Sequence, residues 1–299
     1  MQFLQTPEDR FSTLTDFPFD PHYVEVGDGM RMHFVDEGPS EAPIVLLLHG
    51  EPSWSYLYRK MIPVITAAGF RAIAPDLIGF GKSDKPTNIS DYSYAKHMEW
   101  MSAFIQSLDL KAMHLFCQDW GGLLGLRLLV NLPERFDSAI AANTALPAGK
   151  VAFPPAFQQW KDFAHSVPEL PVGKIIDMGT TTELSPDVVA GYDAPYPDES
   201  YKAGARAFPA LVPMAADDPE SLLNVKAWQK LQQWNKPFLT LFSDSDPIMK
   251  GGEKYFQSLI PGANGQAHTI IENAGHFLQE DQGEAIAEKV VTFVQSIVK

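Results

Sequence analysis

The pattern of hydrophobic and polar positions predicts a chain in which short buried strands alternate with helices. Two segments that alternate in polarity, 22–26 and 30–35, predict an antiparallel pair of strands. Six runs have the length of buried strands: 44–48, 71–74, 113–117, 138–143, 238–242 and 269–272. Segments with helical spacing are found at 54–68, 94–108, 123–129 and 286–298. This alternation indicates an α/β fold, with a mostly parallel central sheet, right-handed crossovers and helices on both faces.

The alternation stops between residues 147 and 226, where the pattern predicts no strand. Prolines and aromatic residues cluster there among short helical segments. An excursion of this length is uncommon in a compact domain unless it serves a function. We therefore predict a main domain formed by residues 1–146 and 227–299, with an inserted helical cap at 147–226 over the strand ends.

Composition narrows the possible partners. The chain has 299 residues, 45% of them hydrophobic, and a net charge of −14. Such a charge repels nucleic acid and anionic membranes, so neither is an expected partner, and we expect a neutral substrate. No apolar run approaches the ~18 residues of a membrane span, and the N-terminal segment lacks the features of a signal peptide. These observations predict a soluble cytoplasmic protein, and a monomer is the default expectation.

Several common types of site are not supported by the motifs. Gly81-Lys82-Ser83 resembles the end of a phosphate-binding loop, but Asp76 occupies the position where that loop requires its first glycine. No grouping of histidine, cysteine and aspartate has metal-ligand spacing, so we expect neither a metal nor another cofactor. The single cysteine, Cys117, excludes an intramolecular disulfide and is interpreted as a small core residue.

The segment 113–130 contains the most informative residue. An apolar strand must become an apolar helix within a few residues around Asp119, and Gly121 and Gly122 permit such a tight turn. The turn resembles a nucleophile elbow in which aspartate stands where serine is usual. A carboxylate at the apex would displace a leaving group from saturated carbon and form an ester that water can hydrolyse. The alternative interpretation is that Asp119 caps the following helix, as many aspartates at such positions do.

Two further polar residues follow later strands. Asp246 comes after the strand at 238–242, and His276 comes after the strand at 269–272. The order Asp119, Asp246, His276 is the nucleophile, acid, histidine order of α/β-hydrolases. Asp244, two residues before Asp246, is a competing candidate for the acid.

Longer motifs around these residues resemble one family. The segments His49-Gly50-Glu51-Pro52-Ser53-Trp54, Gln118-Asp119-Trp120-Gly121-Gly122 and Asn273-Ala274-Gly275-His276-Phe277 are similar to those of haloalkane dehalogenases in the α/β-hydrolase superfamily. The resemblance covers the main domain and the cap. It is closest to the subfamily whose triad acid follows the late strand; a sister subfamily places that acid where Asn143 stands here.

The resemblance implies roles for individual residues. Asp119 would be the nucleophile, His276 the general base and Asp246 the triad acid. Halide would bind to the indole N–H groups of Trp120 and Trp160, although Trp160 could simply pack within the cap. The reaction would convert a neutral haloalkane and water into a primary alcohol, halide and a proton.

The loop after the strand at 44–48 adds a further site. Backbone N–H groups of Glu51 and Trp120 are the predicted oxyanion hole. Two interpretations of the Glu51 side chain stay open: it holds the hydrolytic water, or it forms a salt bridge with Arg59.

Three other functions share parts of this pattern. An epoxide hydrolase would need cap tyrosines, and Tyr192, Tyr196 and Tyr201 are available. A fluoroacetate dehalogenase would need an arginine close after the nucleophile, where this chain has Trp120. A binding protein of the same fold would not require the complete set of nucleophile, acid and histidine.

Overall fold

The computed structural model describes residues 1–14, 16–150 and 152–298. In chain order its strands are β1 (Phe3–Leu4), β2 (His22–Glu25), β3 (Arg31–Glu37), β4 (Ile44–Leu48), β5 (Arg71–Pro75), β6 (Lys85–Pro86), β7 (Met113–Gln118), β8 (Phe136–Ala142), β9 (Phe238–Ser243) and β10 (Thr269–Ile271). Eight of these form one sheet in the order β10-β9-β8-β7-β4-β5-β3-β2. The pairs from β10 through β5 are parallel, whereas β3 pairs antiparallel with β5 and with β2. The predicted mostly parallel sheet is confirmed.

The helices connect these strands. They are α1 (Ile62–Ala67), α2 (Tyr94–Ser107), α3 (Trp120–Asn131), α4 (Pro155–Ser166), α5 (Val172–Met178), α6 (Pro186–Asp193), α7 (Ala203–Leu211), α8 (Pro219–Leu231), α9 (Glu253–Leu259) and α10 (Leu278–Ile297). The central strands β4 and β7 are buried at every position, which explains why their sequences do not alternate in polarity. β4 is entirely apolar, and β7 is apolar except at His114 and Gln118. Among the described residues, none of these helices has the length and apolarity required to cross a membrane.

The predicted helix over 54–68 is wrong in its first half. Residues Ser55–Tyr58 form a 3₁₀ turn, and the α-helix begins only at Ile62. Pro63 explains the late start, because proline lacks an N–H and is tolerated in the first turn of a helix but not in its interior. The backbone N–H of Ser55 instead donates to Oδ1 of Asp76 at 2.7 Å.

The closing helix is longer than its apolar pattern indicated. The prediction began at 286, whereas α10 begins at Leu278 and has a non-helical backbone at Gln282. The first turn of α10 carries Gln279 and Glu280, and both side chains are buried. Buried polar residues interrupt the amphipathic pattern, so this turn could not be recognised from hydrophobic spacing.

The segment between β8 and β9 contains helices α4 to α8, and no strand occurs among its described residues. Helices α4 and α7 pack against each other, as do α5 and α6. Helix α8 packs instead against α3. Phe208 of α7 places its ring 4.4 Å from that of Trp120, perpendicular to it. This segment therefore contacts the carboxyl end of β7, where the site described next is found.

Candidate active site

The chain makes a sharp turn at Asp119, between the end of β7 and the start of α3. Asp119 adopts φ 51° and ψ −126°, a conformation rarely used by residues other than glycine. Neighbouring backbone approaches the turn so closely that a Cβ at Gly121 would lie 2.0 Å from the carbonyl oxygen of Leu48. A Cβ at Gly50 would meet the Asp119 carboxyl at 2.2 Å. Glycine is required at both positions by space, and the strained backbone at Asp119 is typical of functional sites.

The Asp119 carboxylate points away from the helix that it precedes. Its side chain accepts no hydrogen bond from the first turn of α3. Oδ1 instead accepts from the backbone N–H of Glu51 at 2.7 Å. Asp119 therefore occupies the N-cap position of α3, but its side chain does not cap the helix. The backbone of the turn is fixed by Thr144, whose hydroxyl donates to the Asp119 carbonyl at 2.7 Å.

His276 lies between two carboxylates. Its Nδ1 donates to Oδ2 of Asp246 at 2.8 Å, and its Nε2 lies 3.5 Å from Oδ2 of Asp119. Burial alone would lower the pKa of His276, but the charges of Asp246 and Asp119 outweigh burial and raise it to about 10. For Asp246 the effects have the opposite sign. Burial would raise the pKa of its carboxyl, but the facing imidazolium outweighs burial and lowers that pKa. The three residues therefore form one strongly coupled group.

Asp244 does not contact the imidazole. Its side chain is half-buried and accepts hydrogen bonds from the backbone N–H groups of Asn273 and Ala274 at 3.1 and 3.3 Å. Asp246, by contrast, is fully buried and also accepts from the backbone N–H of Ile248 at 2.8 Å. The two aspartates thus have separate surroundings, and Asp246 is the one brought to His276.

Two side-chain amides support the loop that carries His276. Asn143, after β8, donates to the carbonyl oxygens of Gly275 at 2.9 Å and His276 at 3.1 Å. Gln118, the last residue of β7, donates to the His276 carbonyl at 3.2 Å. The contact of Gln118 was not foreseen from sequence. The available signal was a polar residue at the end of a largely apolar buried strand, directly before Asp119.

Glu51 is buried beside Asp119. Burial, with the nearby charge of Asp119, raises the pKa of the Glu51 carboxyl well above its usual range. Among the described residues, its Oε1 has no hydrogen-bond partner. The predicted salt bridge with Arg59 is wrong, because Arg59 donates to Asp16 at 2.6 Å and also pairs with Glu280.

Asp76, which directly follows β5, holds the loop that follows β4 and contains Glu51. The Asp76 carboxylate accepts from the backbone N–H groups of Ser55 at 2.7 Å and Lys82 at 2.8 Å, and pairs with His33 at 2.8 Å. Burial would raise the pKa of Asp76, but the facing histidine and these donors outweigh it and lower the pKa to about 2. Asp76 therefore fixes the loop without reaching the cavity.

A cavity of about 260 Å³ lies between the carboxyl ends of the strands and helices α4, α5 and α7. Asp119, Glu51 and His276 are among its few polar side chains. Most of the lining is apolar, including Leu123, Phe153, Phe157, Ile175, Val212 and Phe277. Such a cavity fits a small ligand with little polarity.

Both candidate halide tryptophans line this cavity. Trp120 is 3% exposed and begins α3, directly after Asp119, whereas Trp160 lies on α4. Trp54 and Trp228 differ from them, since their indole N–H groups donate to backbone carbonyls. No such acceptor is found for the indole nitrogens of Trp120 and Trp160 in the part of the chain that the structure describes.

The tyrosines required by the epoxide hydrolase alternative are elsewhere. Tyr192 is buried with its hydroxyl on Glu280, and Tyr196 is buried without a hydroxyl partner among the described residues. Neither these two nor Tyr201 belongs to the described residues that line the cavity. The described lining of the cavity therefore contains none of the tyrosines that the epoxide hydrolase alternative requires.

Comparisons with known proteins agree with this geometry. The family pattern of the alpha/beta hydrolase fold matches residues 43–282. The haloalkane dehalogenase of Psychrobacter cryohalolentis is 55% identical over 98% of both chains, and that of Mycolicibacterium paratuberculosis is 48% identical over 100% of both. The solved tetrameric structure of haloalkane dehalogenase DpaA from Paraglaciecola agarilytica is 38% identical, covers 97% of each chain and has a TM-score of 0.91. On this fold, cavity and similarity, the chain belongs to the haloalkane dehalogenases of the α/β-hydrolase superfamily.

Proposed function

We propose that this haloalkane dehalogenase acts through a covalent ester on Asp119. An oxygen of the carboxylate forms a bond to the carbon that bears the halogen, and the carbon–halogen bond breaks with its electron pair leaving on the halide. The observation that carries the proposal is the Asp119 carboxylate at the elbow. It lines an apolar cavity and lies 3.5 Å from His276.

The departing halide is proposed to bind between the indoles of Trp120 and Trp160. Both line the same cavity as Asp119, and neither indole N–H donates a hydrogen bond to an acceptor among the described residues. Hydrogen bonds to a developing anion are strongest where water is excluded. The aromatic and aliphatic lining around these indoles favours such exclusion.

Hydrolysis of the ester is assigned to His276, oriented by Asp246. In the free enzyme the negative charge of Asp119 helps to keep a proton on His276. Alkylation of Asp119 removes that charge, which lowers the pKa of His276, so the ring releases its proton to solvent and can act as a base. Water then adds to the carboxyl carbon as Nε2 accepts one of its protons. The bond to the alkoxy oxygen breaks as the imidazolium gives that proton to this oxygen, and the alcohol leaves. Asp119 keeps the oxygen of the water, and the second proton of the water passes to His276.

The oxyanion formed in this step is proposed to be held by backbone N–H groups of Glu51 and Trp120. The Glu51 N–H, 2.7 Å from Oδ1 of Asp119, supports this assignment. The Glu51 side chain is proposed to stay protonated and to contact the hydrolytic water, because its raised pKa and unpartnered Oε1 leave it free to do so.

The proposal also covers the domain organisation of the chain and its oligomeric state. We assign residues 147–226 to a cap domain, since α4, α5 and α7 provide the outer wall of the cavity. We propose a cytoplasmic enzyme that is active as a monomer. Light scattering on the active enzyme would separate this from a tetramer like that of the Paraglaciecola agarilytica relative.

Halide release tests the proposed function. The wild type should release bromide and acidify a weak buffer with 1-bromobutane or 1,2-dibromoethane. Asp119→Ala should release none above background while remaining folded by circular dichroism. Bromide release that persists in Asp119→Ala would refute the proposal.

A further inference from the structure

Gln118 contacts the ring of His276 as well as its main chain. The residue ends β7 and is fully buried. Its Nε2 lies 3.2 Å from the carbonyl oxygen of His276 and also 3.2 Å from Nε2 of the imidazole. Among the described residues, its Oε1 has no hydrogen-bond partner. The mechanism above makes no use of this side chain.

The orientation of the Gln118 amide follows from the carbonyl. A carbonyl oxygen only accepts hydrogen bonds, so the group facing it must be the NH₂ of Gln118. The reversed amide would bring two oxygens together without a proton between them. With the NH₂ in place, one N–H serves the carbonyl and the second is available to Nε2 of His276.

The second N–H distinguishes the two protonation states of the ring. A neutral imidazole with hydrogen on Nδ1, which Asp246 holds, can accept it at Nε2. A protonated Nε2 would instead bring two donors together. The carboxyl groups facing the ring are those of Asp246, Asp119 and Glu51, and a charge on any of them favours the protonated ring. Gln118 is a neutral contact that acts in the opposite direction.

We propose that Gln118 is a positioning residue that sets the pH at which His276 becomes a base. In the alkyl-enzyme it donates to Nε2 of the neutral imidazole and so favours the unprotonated ring, and this hydrogen bond is given up when Nε2 accepts a proton from water. The inference rests on the proposed function, since only ester hydrolysis requires that state.

The experiment compares Gln118→Met, Gln118→Glu and Asn143→Gly with the wild type. Asn143→Gly is the matched control, because Asn143 donates to the same His276 carbonyl without contacting the imidazole, and glycine tolerates its φ of 36°. Each enzyme is alkylated in a single turnover with 1-bromobutane, and decay of the ester is followed by rapid quench and mass spectrometry across pH.

The expected shifts have a definite sign. Gln118→Met should move the midpoint of ester hydrolysis upward by about 0.5 to 1 pH unit, as the loss of one hydrogen bond to the neutral form implies. Gln118→Glu should move it upward by about 1 to 3 units, because a carboxylate beside the ring favours its proton. Asn143→Gly should lower thermal stability and leave the midpoint unchanged. Unchanged or lowered midpoints in both Gln118 variants would overturn the inference.

A second measurement applies even if the variants turn over poorly. Asp119→Asn replaces the carboxylate by a neutral group, as alkylation does, and the His276 ring can be titrated in it by ¹⁵N NMR. Adding Gln118→Met to Asp119→Asn should raise the ring pKa, and no rise would overturn the inference. If the wild type forms no ester at all, the proposed function fails together with it; if ester forms and only the midpoints fail to move, Gln118 alone is reassigned to support.

Discussion

Nε2 of His276 lies 3.5 Å from Oδ2 of Asp119, while Nδ1 of the same ring is held by Asp246 at 2.8 Å. The imidazole therefore faces two carboxylates in the free enzyme and only one after Asp119 is alkylated. This change in charge couples the two proposed half-reactions, because the base is released only when there is an ester to hydrolyse.

The first prediction concerns stability against pH. The pKa of His276 is raised to about 10 in the folded protein, above an ordinary value near 6.5. The resulting stabilisation is fully present below about pH 6.5 and is lost as pH rises through about 10. The free energy of unfolding of the wild type should therefore fall between these values more steeply than that of Asp119→Asn. Urea unfolding at several pH values measures both, and parallel curves would show that Asp119 does not hold the proton on His276.

The second prediction concerns halide binding. Trp160→Phe should weaken bromide binding by about tenfold or more, because it removes a hydrogen bond to a charged ligand. Trp228→Phe is the control, since the Trp228 indole donates to the carbonyl of Leu146 instead of lining the cavity. Bromide quenching of tryptophan fluorescence gives the dissociation constants. Equal constants in wild type and Trp160→Phe would exclude Trp160 from the halide site.

The third prediction concerns the elbow. Gly121→Ala should abolish activity and lower the melting temperature, because its Cβ would lie 2.0 Å from the backbone carbonyl oxygen of Leu48. Gly125→Ala, in the same helix, should lower the melting temperature much less and retain activity, because its Cβ would meet only side-chain atoms, at 3.1 Å or more. Thermal melts and bromide release distinguish them. Equal behaviour of the two variants would show that the close approach at the elbow is not required.

The ends of the strands could be predicted from the sequence, because buried parallel strands are largely apolar and the polar residues that follow them are easy to recognise. Sequence reasoning recovered Asp119, Asp246 and His276 in order, and the structure brings these three together. It preferred Asp246 to Asp244 because of the family resemblance, since both aspartates follow the same strand. In the structure they are separated by their contacts, because Asp244 accepts from Asn273 and Ala274.

Long-range contacts decided the other questions that the sequence left open. The open question about Glu51 depended on the partners of Arg59, which come from 43 residues earlier and 221 residues later in the chain. Tyr192, Tyr196 and Tyr201 were available by composition, but none of them is among the described residues that line the cavity. Tyr192, for example, is buried with its hydroxyl on Glu280. Such pairings are set by tertiary packing and have no local signal in the sequence.

Trapping the ester tests the central claim most directly. In His276→Gln the first half-reaction should proceed and the second should stop, so the enzyme should release one equivalent of bromide from 1-bromobutane and retain one butyl group. Peptide mass spectrometry should find that group on Asp119. A butyl group on another residue, or full turnover with no adduct, would contradict the account.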